Sequence, residues 1–119
     1  ISFNVEAVFD GFMAPLGKGT PTIRKTATLP VKFRLSDFNG VPFDGALAWL
    51  EIASLTGGDP EAWMPASSTS RINDGNAFRL VDDGMYLFNL NTKGLEPGAY
   101  RLRVTVNDGN QYTIDLNVR

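Results

Sequence analysis

The stretch Leu29-Pro30-Val31-Lys32-Phe33-Arg34-Leu35 decides the fold. Leu29, Val31, Phe33 and Leu35 fall on one side and Pro30, Lys32 and Arg34 on the other, a period of two that a half-buried strand produces and a helix does not. We place this strand at about Thr26 to Ser36. Pro30 has no N–H to give to a ladder, so its side of the strand must face an edge or a bulge. Lys32 reads first as a sheet-face lysine whose stem covers apolar neighbours, and second as a contact for an anion or carboxylate.

The same alternation returns twice. Tyr100, Leu102, Val104 and Val106 alternate with Arg101, Arg103 and Thr105, and Tyr112, Ile114, Leu116 and Val118 follow after Asn107-Asp108-Gly109-Asn110. Two alternating arms about an Asp-Gly turn predict a hairpin with those eight residues on its inner face. Further strands are expected from about Ser2 to Phe9, broken by Asp10-Gly11, from Ala77 to Val81, and from Met85 to Leu90. Ala46 to Leu55 fits either a helix stripe or a strand buried on both sides; strand is preferred because every clearly periodic neighbour is a strand and the segment is short. Phe12 and Leu95, each in an irregular passage, are expected to tuck into the core. Seven strands separated by Gly, Pro, Asp and Asn predict an all-β, immunoglobulin-like or fibronectin-like antiparallel sandwich.

Composition narrows the function. The chain has 119 residues, enough for one domain with a two-layer core. Eleven basic against thirteen acidic residues give a net charge of -2, without the broad positive field that phosphate-backbone recognition uses, so nucleic acid is not an expected partner. No apolar run approaches the roughly 20 residues of a membrane-spanning helix. Cysteine and histidine are absent, which removes thiolate chemistry, the commonest zinc ligands and the commonest general base near neutral pH. There is no phosphate-cradling glycine loop, and no Ser-His-acid set can be assembled. Carboxylates are numerous, but most sit in turns, where an aspartate accepts hydrogen bonds from nearby backbone N–H groups. No enzymatic activity is expected. The start at Ile1, with no initiator methionine or leader, suggests a processed product or a C-terminal piece of a longer protein.

Two kinds of candidate site remain. Oxygen ligands suit calcium, and Asn73, Asp74, Asn76, Asp82 and Asp83 bracket one short strand, with Asp37, Asn39 and Asp44 in another loop; no stretch meets the twelve-position calcium-loop pattern. For carbohydrate, aromatic rings stack on sugar faces. Trp63, in the polar passage Glu61 to Ser70, is the leading platform residue and Trp49 the second, although Trp49 reads first as core and Trp63 first as a pin that holds its loop to the core.

Pro30-Val31-Lys32-Phe33 resembles the signature for which the bacterial PxKF domains are named. Phe9-Asp10-Gly11-Phe12 with Pro15, then Gly98-Ala99-Tyr100-Arg101-Leu102, then Asp108-Gly109 before the final strand, occur in the order such domains show. The resemblance implies an immunoglobulin-like accessory module of a secreted or surface-attached bacterial protein, acting in spacing, docking or adhesion. Its expected partners are other domains of the same polypeptide, with carbohydrate or a surface protein beside them. It carries over no catalytic residue: Pro30, Val31, Lys32 and Phe33 transfer as structural positions.

Overall fold

In the computed structural model, residues 8–13, 16, 20–24, 28–37, 39–68, 73 and 75–119 are described. The strands are β1 (Val8–Phe12), β2 (Thr22–Ile23), β3 (Thr28–Ser36), β4 (Ala48–Thr56), β5 (Asp59–Pro60), β6 (Met64–Pro65), β7 (Arg79–Asp82), β8 (Met85–Asn91), β9 (Gly98–Val106) and β10 (Gln111–Val118). They form two sheets, β1-β3-β8-β7 and β2-β10-β9-β4-β5, with β6 also paired to β4. All pairings are antiparallel except β2 with β10. The architecture is an all-β, immunoglobulin-like sandwich, and seven of its strands are longer than two residues.

The core is what the alternation requires. Val31, Phe33 and Leu35 of β3 and Tyr86, Phe88 and Leu90 of β8 face Leu50 of β4, Leu102, Val104 and Val106 of β9 and Leu116 and Val118 of β10, all nearly or fully buried. Phe12 and Leu95 pack against this core as expected. Aromatic rings close both open sides: Phe9 stacks on Tyr112 at 4.0 Å, bridging the two sheets, while Phe78 meets Phe33 edge-on at 4.9 Å. Such pairs contribute about 0.5–1.5 kcal/mol beyond their area.

Hydroxyls tie the loops to this core. Tyr86 Oη donates to the Phe43 carbonyl at 2.6 Å and accepts from Ala46 N–H at 3.2 Å, holding the β3–β4 connection on β8. Tyr100 Oη donates to the Glu96 carbonyl at 2.6 Å, four residues upstream. This is the tyrosine corner of immunoglobulin-like folds, and Leu102, two residues on, is fully buried where antibody domains place a disulfide cysteine. Burial raises the pKa of both phenols, reinforced at Tyr86 by Asp44 and at Tyr100 by Glu96.

Several expectations need correction. Asp10-Gly11 does not end the first strand: β1 runs through it to Phe12, its register against β3 slipping between Phe9 and Phe12. Gly11 has φ +99°, so the chain bulges where another residue would have broken. Residues 2–7 of that expected strand lie outside the described residues. The short strand expected at Ala77 to Val81 is present as β7, shifted to Arg79–Asp82, with Ala77 making only a single bridge to Trp49. Ala46 to Leu55 is a strand, shifted to β4. Pro30 sits beyond the end of β1, which reaches only Phe33 in register, so among the described residues its missing N–H faces no ladder partner.

Candidate functional site

The outward face of the second sheet carries the densest side-chain network. Register places Trp49 opposite Thr105, Glu51 opposite Arg103 and Ala53 opposite Arg101, while β10 sets Thr113 beside Arg103 and Asp115 beside Arg101. Arg103 donates from Nε and Nη2 to the same oxygen, Glu51 Oε1, at 3.1 and 2.9 Å. Thr105 Oγ1 donates to that oxygen at 3.3 Å, and Gln111 Nε2 donates to Thr105 Oγ1 at 3.4 Å. Arg101 grips both oxygens of Asp115, at 2.7 and 3.2 Å. These pairs are partly exposed, so solvent screening leaves each with little effect on stability. Their effect is to fix geometry and cancel charge.

Trp63 completes this face. Met64 pairs with Ile52 and Pro65 with Glu51, so one residue further back Trp63 falls opposite Ala53, on the outward side. Ala53 has the parity of a solvent-facing residue yet is only 2% exposed. The Arg103 guanidinium lies 4.1 Å from the Trp63 ring centroid. Register and the guanidinium together put the indole on the outward face of the sheet, where it remains partly exposed. Trp63 therefore pins its loop to the outside of the sheet and not to the core. Trp49, read first as core, is also half-buried on this outward face. The sequence marked both rings, but only register could show that they share a face with Glu51 and Arg103, which sequence reasoning passed over.

Three of the candidate calcium residues, Asn73, Asn76 and Asp82, have other partners. Asn73, 8% exposed, uses its amide as a stand-in strand residue: Nδ2 donates to the Leu87 carbonyl at 2.9 Å and Oδ1 accepts from Asn89 N–H at 3.0 Å. Its Oδ1 also accepts from Ser68 Oγ and its Nδ2 donates to the Ala77 carbonyl. Asn76 Nδ2 donates to the Leu50 carbonyl, and Asp82 Oδ1 accepts from Asp83 N–H in the β7–β8 turn. Asp74 lies outside the described residues. Among the described residues no three His, Cys, Asp or Glu side chains converge. In the other loop, Asp37 Oδ1 caps Asn39 and Val41 N–H, and Asp44 Oδ1 accepts from Gly84 N–H at 2.6 Å.

The motif residues keep structural places. Val31 and Phe33 are fully buried, Pro30 is half-buried, and Lys32 lies outward opposite Leu87. Two clefts of ≈ 440 and ≈ 320 Å³ open beside β6. The first is lined by Asn73, Asn76 and the Pro65–Ser68 segment, the second by Ile52, Met64, Leu90 and Leu95, and no described ionisable side chain lines either.

No protein-family model matches the chain, and no curated protein matches it. Among solved structures it is similar to the Lin-41 filamin domain, at 12% identity and TM-score 0.59, over 95% of this chain and 91% of that one. It is also similar to domains 4 and 5 of the S-layer protein SbsC, at 13% identity and TM-score 0.51, over 95% of this chain and about half (53%) of that one. At these identities the likeness concerns the fold, which both comparisons place among immunoglobulin-like sandwiches.

Proposed function

We propose that this protein is a non-catalytic module that spaces or supports neighbouring domains of a secreted or surface-attached bacterial protein. The carrying observation is the polarity of the sandwich. Val8, at the start of β1, lies opposite Ser36, and Phe9 stacks on Tyr112 near the start of β10, whereas the end of β10 at Val118 lies beside Ile23. Six residues of strand separate Tyr112 from Val118, so the start of β1 and the end of β10 lie about 20 Å apart along the strand axis. With its first and last long strands starting and finishing at opposite ends, the sandwich suits a unit that holds neighbouring domains apart. Clefts without described ionisable groups, the S-layer neighbour and the resemblance to PxKF domains support the reading.

The test is to fuse a globular reporter to each end and measure their separation by small-angle scattering and by spin-label distances. Reporters held at opposite ends with a narrow distance distribution are expected. Reporters lying side by side, or turnover of model ester, glycoside or peptide substrates by the purified domain, would overturn it.

A further inference from the structure

We propose that the outward face of the second sheet binds a neutral polysaccharide, with the Trp63 ring as stacking surface and the Glu51–Arg103–Thr105–Gln111 network as its polar contacts. This goes beyond the spacer reading and stands or falls separately from it.

Three observations carry it. First, Trp63 sits on the outward face: register sets it opposite Ala53, the Arg103 guanidinium lies 4.1 Å from its ring centroid, and the indole stays partly exposed, which leaves ring surface for the C–H face of a sugar. Second, the neighbouring polar groups are held in advance. Glu51 Oε1 takes three donors, leaving Oε2 without a protein donor among the described residues, and Gln111 and Thr105 continue the row towards Trp49. Vicinal sugar hydroxyls, each both donor and acceptor, match a carboxylate beside a guanidinium and an amide. Third, both arginines of this face are paired, with Asp115 and Glu51, so they offer no unpaired positive charge to select a polyanion. Trp49 lies four residues along β4 from Ala53, about 14 Å, which gives the face a second ring at the far end of a short run of sugars.

The experiment is affinity electrophoresis of the intact protein in gels containing soluble xylan, mixed-linkage β-glucan, galactomannan or polygalacturonate, with tryptophan-emission titrations of any retarding polymer. Retardation by at least one of the three neutral polymers, unaffected by high salt, is expected, with Trp63→Ala weakening it about tenfold or more, equivalent to about 1.4 kcal/mol. Glu51→Gln keeps the volume of its side chain and should weaken binding while the melting temperature holds, which covers the case of a misfolded Trp63→Ala. No retardation by any neutral polymer, binding unchanged in a folded Trp63→Ala, or salt-sensitive binding of polygalacturonate alone would each overturn the proposal.

Discussion

Replacing Tyr86 with phenylalanine removes one oxygen and leaves the packing in place, because the ring stacks on Phe33 at 5.2 Å and is 2% exposed. The loss is therefore confined to two bonds, the 2.6 Å donation to Phe43 and the 3.2 Å acceptance from Ala46. With both backbone groups left without this partner in the β3–β4 connection, the cost is about 2 kcal/mol at neutral pH. Unfolding entropy near 2.1 cal/mol/K per residue converts that to a fall of about 8 °C in Tm. The same hydroxyl sets an alkaline limit. Burial raises its pKa in the folded state, so the folded chain holds this proton more tightly than the unfolded one. Its contribution is complete below the unfolded tyrosine pKa of about 10 and is lost as pH climbs through the higher folded value. Urea titrations at neutral pH and above about pH 10 read both effects. The variant should show a lower midpoint with unchanged m at neutral pH, and a shallower alkaline decline. A neutral midpoint equal to the parent's, or an undiminished alkaline slope, would refute the bridging role.

Tyr100→Phe should cost about 1 kcal/mol for the lost Glu96 bond, read by the same titration, and combined with Tyr86→Phe it should flatten the alkaline limb further. Gly84→Ala should be among the most damaging small substitutions, at roughly 2–4 kcal/mol: φ is +65° and the new Cβ would stand 2.5 Å from the Leu35 carbonyl oxygen, so a large drop in thermal midpoint is expected. Asn73→Ala removes the amide that pairs with β8 and should lower stability by about 2–3 kcal/mol, with faster amide exchange at Asn89. Exhaustive chelation should leave the melting temperature unchanged, because Asn73 Oδ1 is already taken by Ser68 and Asn89; a rise on adding calcium back would restore a cation site around Asn73, Asp74, Asn76, Asp82 and Asp83.

The sandwich was legible wherever a strand is long and half-buried. β3, β9 and β10 state their faces residue by residue, because each alternate side chain must be apolar to reach the core. Thr22–Ile23, Asp59–Pro60 and Met64–Pro65 were not legible as strands, since two residues hold no period; they pair because the fold delivers them to the β10 and β4 edges. The candidate site was half legible. Tryptophan announces a large contact, but whether Trp63 lies in the core or on the outside depends on its register with Ala53, and register is set by long-range pairing that local sequence does not encode.

The parallel contact between β2 and β10 has a consequence for synthesis. Ile23 meets Val118 across almost the whole chain, so on the ribosome β2 is made early and waits with an open edge until β10 follows β9 out of the exit tunnel. Until then the second sheet lacks the strand that lies between β2 and β9, and the core residues Leu116 and Val118 are missing with it. Closure of that sheet must therefore wait for β10, and the interval when β9 is out and β10 is not is when the nascent chain exposes the unfinished edge.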